Sequence, residues 1–320
     1  MKNLQMALSG VLALQLVLAA GLFWESSSRQ QAQTKSTPLV QAETDALQRL
    51  EIVGDGKSVT LVKQEDQWQL PQLHDLPVNR DKLDGLLEKL GALQGNWPIA
   101  TSNSARERFE VAEEKFRKHL KLYTAVGEEP VVELFVGTSP GFRKVHVRRA
   151  GDDAIYAVEL NSFDLPEKAD SWLDKTLLAA GDLTRIQGPD YTLEKGEDGW
   201  EFAAGDSEEI PAVDPGKARE LASALEKLRI THVVDKAPQL EETEIVVELH
   251  GGQRRYHFAS ADDKYYVRRD DRNQLFEISQ YDFDRVMDKH HQNLVLVERD
   301  EEEQTAEEES ATTEEDGTKS

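Results

Sequence analysis

Two arginine pairs stand in one repeated frame. Residues 146–164, "HVRRAGDDAIYAVELNSFD", and residues 266–284, "YVRRDDRNQLFEISQYDFD", place Val147-Arg148-Arg149 and Val267-Arg268-Arg269 120 positions apart. A guanidinium presents its N–H groups in a planar fork that matches a carboxylate or phosphate. Four such groups on two strands would make a basic strip for an anionic glycan or for a partner's carboxylates. Side chains alternate along a strand, so Arg149 shares the face of Val147, while Arg148 points away with His146. Arg269 and Arg268 divide in the same way, with Val267 and Tyr266 respectively. The simpler use of these charges is pairing on solvent faces with Asp152-Asp153 and Asp270-Asp271 in the following turns, and we favour it. Trp68 and Trp200, each following an acidic turn, complete the candidate ligand or partner contacts.

Other chemistry is hard to assemble. "GDGKS" at residues 54–58 resembles the end of a phosphate-binding loop, but Glu51 replaces the required first glycine and a strand-like "SVTLVK" follows. A hairpin turn is expected instead. His290 and His291 are adjacent, about 100° apart on a helix, and poorly placed to share an ion. His250 and His257 lie on neighbouring expected strands and could meet across a turn, though cross-strand packing is the better reading. No GxSxG elbow, HExxH helix or calcium-binding loop is present, and cysteine is absent, which removes disulfides, thiolate metal sites and a lipidated cysteine. With 61 acidic residues, chance carboxylate pairs are inevitable and none can be named as acid and base. No catalytic, cofactor-binding or metal residue is therefore assigned. A hydrolase with a site built from dispersed residues is the third and least favoured class.

These residues sit on a chain of 320 residues with 38 % apolar content, room for about two cored domains. The formal charge of −23 argues against nucleic acid or anionic lipid as a main partner. Eleven acidic residues against Arg299 and Lys319 concentrate that charge in residues 298–320, a segment without aromatics that is expected to be disordered.

The segment "MALSGVLALQLVLAAGLFW", residues 6–24, carries no charge, and about 20 such residues cross a bilayer as a helix. Lys2 precedes it and Glu25 follows, which leaves the N-terminus in the cytoplasm and the bulk outside. The rival is a cleaved signal with Leu8 to Leu18 as its apolar region and Ala19-Ala20-Gly21 as a loose site. Leu22-Phe23-Trp24 prolongs the run past that site, which suits a membrane anchor. Either reading exports the remainder. Residues 25–44 read as a polar tether.

Beyond the tether the chain runs through one plan twice, over residues 45–180 and 181–297. Each copy opens with short strands ending near a tryptophan, as in "LQRLEIVGDGKSVTLVKQEDQWQL" and "LTRIQGPDYTLEKGEDGWEF". A helix follows: "VNRDKLDGLLEKLGAL" with Asn79 as N-cap and a leucine stripe, and "VDPGKARELASALEKLRI" with Asp214 capping and Pro215 at the first turn. Four strands come next, "KHLKLYT", "VVELFVG", "KVHVRR" and "AIYAVEL" against "EIVVELHG", "RRYHFAS", "KYYVRR" and "QLFEIS". Closing helical segments are expected in "DLPEKADSWLDKTLL" and "YDFDRVMDKHHQNLV", and the charged connection of residues 102–118 is expected to be partly helical. Strands this closely spaced imply an α+β, mostly antiparallel architecture.

The anchor, the opening strands, the "VNRDKLDGLLEKLGAL" helix and the "VHVRRAGDDAIYAVELNSFD" block ending in "SWLDKTLL" resemble the domain of unknown function 4340 family of bacterial envelope proteins. The resemblance implies a membrane-anchored, non-enzymatic accessory or scaffold partner of ABC-type export systems, including those linked with gliding motility. It supplies no catalytic residues. An envelope ligand-binding module, for cell-wall glycan or another anionic ligand, is the alternative.

Overall fold

The computed structural model describes residues 36–124, 129–204 and 210–297; the expected anchor, most of the tether and the acidic tail lie outside them. Among the described residues no helix is long and apolar enough to cross a membrane. The chain is β-rich and divides after Asp174 into two compact units, each built on one eight-stranded antiparallel sheet with few helices.

Unit 1 begins within the expected tether. Strand β1 (Thr37–Pro38) pairs with β6 (Gln94–Gly95), and Leu39 and Val40 are buried beside it. Two consecutive aliphatic side chains there outweigh the polar composition around them. The main sheet then takes β2 (Arg49–Gly54), β3 (Lys57–Gln64), β4 (Gln67–Leu70) and β5 (Leu76–Pro77), followed by β7 (Lys118–Tyr123), β8 (Val132–Val136), β9 (Lys144–Arg149) and β10 (Ile155–Glu159). Their order is β10-β9-β8-β7-β2-β3-β4-β5. "GDGKS" is the β2–β3 hairpin: Gly54 faces Lys57, and Asp55 and Gly56 both take positive φ, 52° and 67°. That is the conformation of a two-residue turn matched to strand twist, with glycine where it is least strained.

Period-two burial builds the core. Val59, Ile52, Leu120 and Leu134 lie in register across β3, β2, β7 and β8, and Leu61, Leu50, Leu122 and Val132 form the next row. Helix α1 (Arg80–Gly91) buries Leu83, Leu86 and Leu90, the stripe expected from 3.6-residue periodicity. The Asn79 side chain accepts from the Lys82 amide at 2.8 Å, a cap worth about 1 kcal/mol.

In unit 2 the strands are β11 (Leu183–Gln187), β12 (Thr192–Lys195), β13 (Trp200–Phe202), β14 (Ile230–Val234), β15 (Thr243–Leu249), β16 (Gly252–Ala261), β17 (Lys264–Arg269) and β18 (Leu275–Ile278). Their order is β13-β12-β11-β15-β16-β17-β18-β14. Seven strands therefore repeat in one order: β4-β3-β2-β7-β8-β9-β10 corresponds to β13-β12-β11-β15-β16-β17-β18, with β5 added at one edge of unit 1 and β14 at the other edge of unit 2. Helix α2 (Asn103–Arg108) lies in the long connection of unit 1, and α3 (Pro215–Glu226) is the counterpart of α1. Asp214 accepts from the amides of Gly216 and Lys217, and Pro215 opens α3 as expected. The unit closes on α4 (Gln280–Met287) and α5 (His291–Leu294).

One expected helix is absent. "DLPEKADSWLDKTLL" forms two short 3-10 turns, at Ser162–Asp164 and Ala169–Ser171, rather than an α-helix. Pro166 explains this: it lacks an amide donor and disfavours the α conformation at Leu165, which takes φ −118° and ψ 59°. Trp172 is fully buried there, and its indole N–H donates to the Pro166 carbonyl at 2.8 Å.

Candidate functional site

The four arginines do not form a strip. Arg148 is 1 % exposed and Arg269 is 4 % exposed, while Arg149 and Arg268 are half-buried. An accessible basic strip fails for Arg148 and Arg269; of the expected pairings, Arg269 does meet Asp271 and Arg268 does meet Asp270, but Arg269 and Arg148 are buried rather than on solvent faces. Moreover, the two buried residues are not equivalents in the repeat, since Arg148 corresponds to Arg268 and Arg269 to Arg149.

The cause is a second layer that, among the described residues, only unit 1 carries. In unit 1, residues 101–117 separate the edge-pairing segment at Ala100 from β7; in unit 2 the connection from β14 to β15 is residues 235–242. The longer connection folds over the outer face of the first sheet. Ala105, Val111, Phe135 and Ile155 make a subsidiary core there, with Phe109 and Phe116 packed against it. Beneath lies a cross-strand row, His119, Phe135, Arg148 and Ile155. The His119 ring stacks on Phe135 at 4.3 Å, and the Arg148 guanidinium sits 4.7 Å from the same ring. Gly137 makes the close approach possible, because a Cβ there would stand 1.9 Å from the Phe109 carbonyl oxygen.

Among the described residues, the matching row of unit 2, Glu244, His257 and Arg268, has no such cover. Arg268 pairs with Glu242 at 2.7 Å and Asp270 at 3.4 Å, and the Glu242 contact raises its already high pKa. His257 reaches Asp270 at 2.7 Å and pairs across the ladder with Glu244, whereas His250 lies in the β15–β16 turn, so the two histidines do not meet. The His290 side chain faces Asp190 at 3.8 Å, whereas the ring of its neighbour His291 packs, tilted, against Phe202 at 4.6 Å, so these two side chains diverge as well. Among the described residues no group of three or more His, Asp or Glu could hold a metal ion.

Arg269 faces inward and belongs to the core. It donates to both Asp271 oxygens, at 2.5 and 2.9 Å, and to the Tyr256 hydroxyl at 3.4 Å. Trp68 is 5 % exposed and fills the first core, so it offers no ligand surface. Trp200 is half-buried on β13, opposite Lys195.

The accessible aromatic surface lies elsewhere, at residues the sequence reading did not single out as contacts. Phe142 and Phe163 are 85 % and 86 % exposed. Phe142 lines a groove of about 740 Å³ with Lys89, Arg143, Lys144, Glu159 and Asp164, and Phe163 sits in the Ser162–Asp164 turn, between the lining residues Asn161 and Asp164. A second groove of about 410 Å³ shares Lys89, Lys144 and Glu159 and follows β10 past Ala157 toward Asn96, next to the exposed Trp97. Strand β10 is the sheet edge. The outward amide and carbonyl of Ile155 are taken by Ala100 and Ile99, while Ala157 and Glu159, at the same outward phase, are exposed. The duplicated position makes the contrast plain: Phe283, the counterpart of Phe163, packs 4.9 Å from the Tyr265 ring.

Comparison with known proteins agrees with the sequence resemblance. Neither a curated protein nor a solved structure gives a match. A family model matches residues 68–245, more than half of the chain, running from β4 of unit 1 into β15 of unit 2. The chain belongs to the family described as a domain of unknown function (DUF4340).

Proposed function

We propose that this chain is a single-pass, inner-membrane-anchored protein whose extracytoplasmic units act as a non-enzymatic accessory or scaffold subunit of an ABC-type transport complex. The observation that carries the binding role is the pair Phe142 and Phe163, both more than four-fifths exposed beside a groove that runs to an open sheet edge. Large aromatics left in water next to a concave surface mark interaction sites. An unpaired edge offers main-chain hydrogen bonds to an incoming extended segment. The uncharged run of residues 6–24 supports the anchor, and the family resemblance supports the choice of partner.

The test is co-purification of transporter subunits with the tagged full chain from detergent-solubilised membranes. Replacing Phe142 and Phe163 together by serine should abolish recovery without lowering thermal stability, since neither side chain is buried. Exchanging residues 1–24 for a cleavable signal should also abolish it. Unchanged recovery from the double serine variant would remove the groove from the interface. Absence of any transporter subunit from the wild-type preparation would overturn the scaffold reading.

A further inference from the structure

The subsidiary core of unit 1 leaves one positive charge incompletely answered. Arg148 Nε donates to the Val111 carbonyl at 2.8 Å, and Nη1 donates to the Asp152 carbonyl at 3.1 Å. Nη2 is buried and has no hydrogen-bond partner. The nearest carboxylate, Glu113, is 3.8 Å from it, beyond hydrogen-bonding reach, on a side chain that is 70 % exposed. A guanidinium stays charged when buried, and an unmet N–H on it costs more than one on a neutral group. Burial lowers the pKa of Arg148, consistent with this shortfall.

Arg148 is also the floor of a cavity of about 430 Å³, open to solvent, with Arg106 and Lys115 as the other cations and Glu107, Glu113 and Glu114 as the acids. The repeat itself supplies the comparison. Arg268, at the same register position of unit 2, is met by the carboxylates of Glu242 and Asp270. In unit 1 the one carboxylate within 4 Å of Arg148 among the described residues is Glu113, which lines the cavity.

We propose that the cavity over Arg148 binds a carboxylate, which hydrogen-bonds to Nη2 and displaces Glu113 outward. A monoanion suits the site better than phosphate. Three carboxylates line the cavity, and a ligand that replaces one of them leaves the local charge unchanged, whereas a dianion adds repulsion. The carboxylate belongs either to a small organic acid or to an acidic side chain of another protein. The chemistry is the same for both, and the site is separate from the groove beside β10, so it stands or falls independently of the scaffold reading.

The experiment follows the side-chain Nε–Hε resonance of Arg148 in the full-length protein in detergent, identified by its loss in Arg148→Lys. Sodium acetate, the blocked peptide N-acetyl-Gly-Glu-Gly-amide and inorganic phosphate are titrated at matched ionic strength. Saturable shifts with acetate and peptide support a general carboxylate site, and a shift with peptide alone assigns the ligand to a protein side chain. Glu113→Gln removes the internal competitor while leaving Arg148 in place, and should lower the apparent Kd about three- to tenfold. Because Glu113 is mostly exposed, this variant remains informative if Arg148→Lys fails to fold. No saturable shift in either the wild type or Glu113→Gln would overturn the proposal. So would an equal response to phosphate, or an unchanged affinity in Glu113→Gln.

Discussion

Arg269 and Asp271 are joined by two N–H···O contacts, 2.5 and 2.9 Å long, although one side chain is 5 % exposed and the other 53 %. The pair is thus asymmetric: the carboxylate can be solvated and the guanidinium cannot. Hydrogen bonding to Arg269 accordingly holds the Asp271 pKa below the usual carboxylate range. Removing the carboxylate strands a buried charge, while removing the guanidinium frees an acid that water receives. Asp271→Ala should therefore cost about 2 kcal/mol. Arg269→Met keeps the packing volume and leaves the Tyr256 hydroxyl donating to the Leu178 carbonyl at 2.8 Å, so it should cost less. Urea denaturation of the two variants checks the ranking, and a larger loss in Arg269→Met would refute it.

Two glycines of unit 1 should respond oppositely to alanine. At Gly137 the new Cβ meets the Phe109 and Glu110 carbonyl oxygens at 1.9 and 2.6 Å, so backbone must move. Gly137→Ala should lift residues 102–117 off the outer sheet face, costing roughly 2–3 kcal/mol as in other overpacked sites, and should expose that segment to limited proteolysis. At Gly85, inside α1, a Cβ meets nothing within 4 Å. Gly85→Ala should stabilise the protein by up to about 1 kcal/mol. Denaturation midpoints and the position of the first proteolytic cut read both effects. A Gly137→Ala protein with wild-type protease resistance would show that the outer layer adapts.

What was legible in the sequence is what depends on near neighbours. Asn79 caps an amide three residues on, Asp214-Pro215 opens a helix within one turn, and Asp55-Gly56 sets a turn through its own φ angles. The meander strands follow from alternation, and two residues of Val-Arg-Arg are placed on their faces by the same rule. Burial of Arg148 has no such local sign. Its cover comes from Val111, 37 positions upstream, in a charged stretch whose apolar residues are too sparse to show a periodic face. Similarly, Phe163 and Phe283 stand in matching frames, yet one is exposed and the other packed, because Pro166 stops unit 1 from forming the counterpart of α4. A repeat therefore indicates topology more faithfully than it indicates which copy of a residue faces water. The accessible surface of Phe142 could have been suspected from its place in "SPGFRK", a turn composition that leaves an aromatic little to pack against.

The two histidines of the outer layer give unit 1 a predictable pH response. Burial lowers the pKa of His146, whose Nδ1 lies 2.8 Å from the Thr138 hydroxyl and whose ring packs 4.3 Å from Phe109, with the Arg108 charge acting in the same direction. Burial also lowers that of His119, opposed by Glu133 at 2.6 Å. In both cases the unfolded chain, with a histidine pKa of about 6.5, takes up a proton before the folded chain does. The stability these neutral rings contribute is complete above that pH and is lost as pH falls toward the lower folded values. Loss through the carboxylates held low by partners, such as Glu167 by Lys118 and Glu220 by Lys289, begins only nearer pH 4. The urea midpoint should thus fall between pH 7.5 and 5.5 in the wild type. Replacing His119 and His146 together by glutamine should lower the midpoint at pH 7.5 and flatten its change across that interval. An unaltered pH slope in the double variant, or a His146 ring that titrates at or above 6.5 by NMR, would place the pH response outside the layer that covers Arg148.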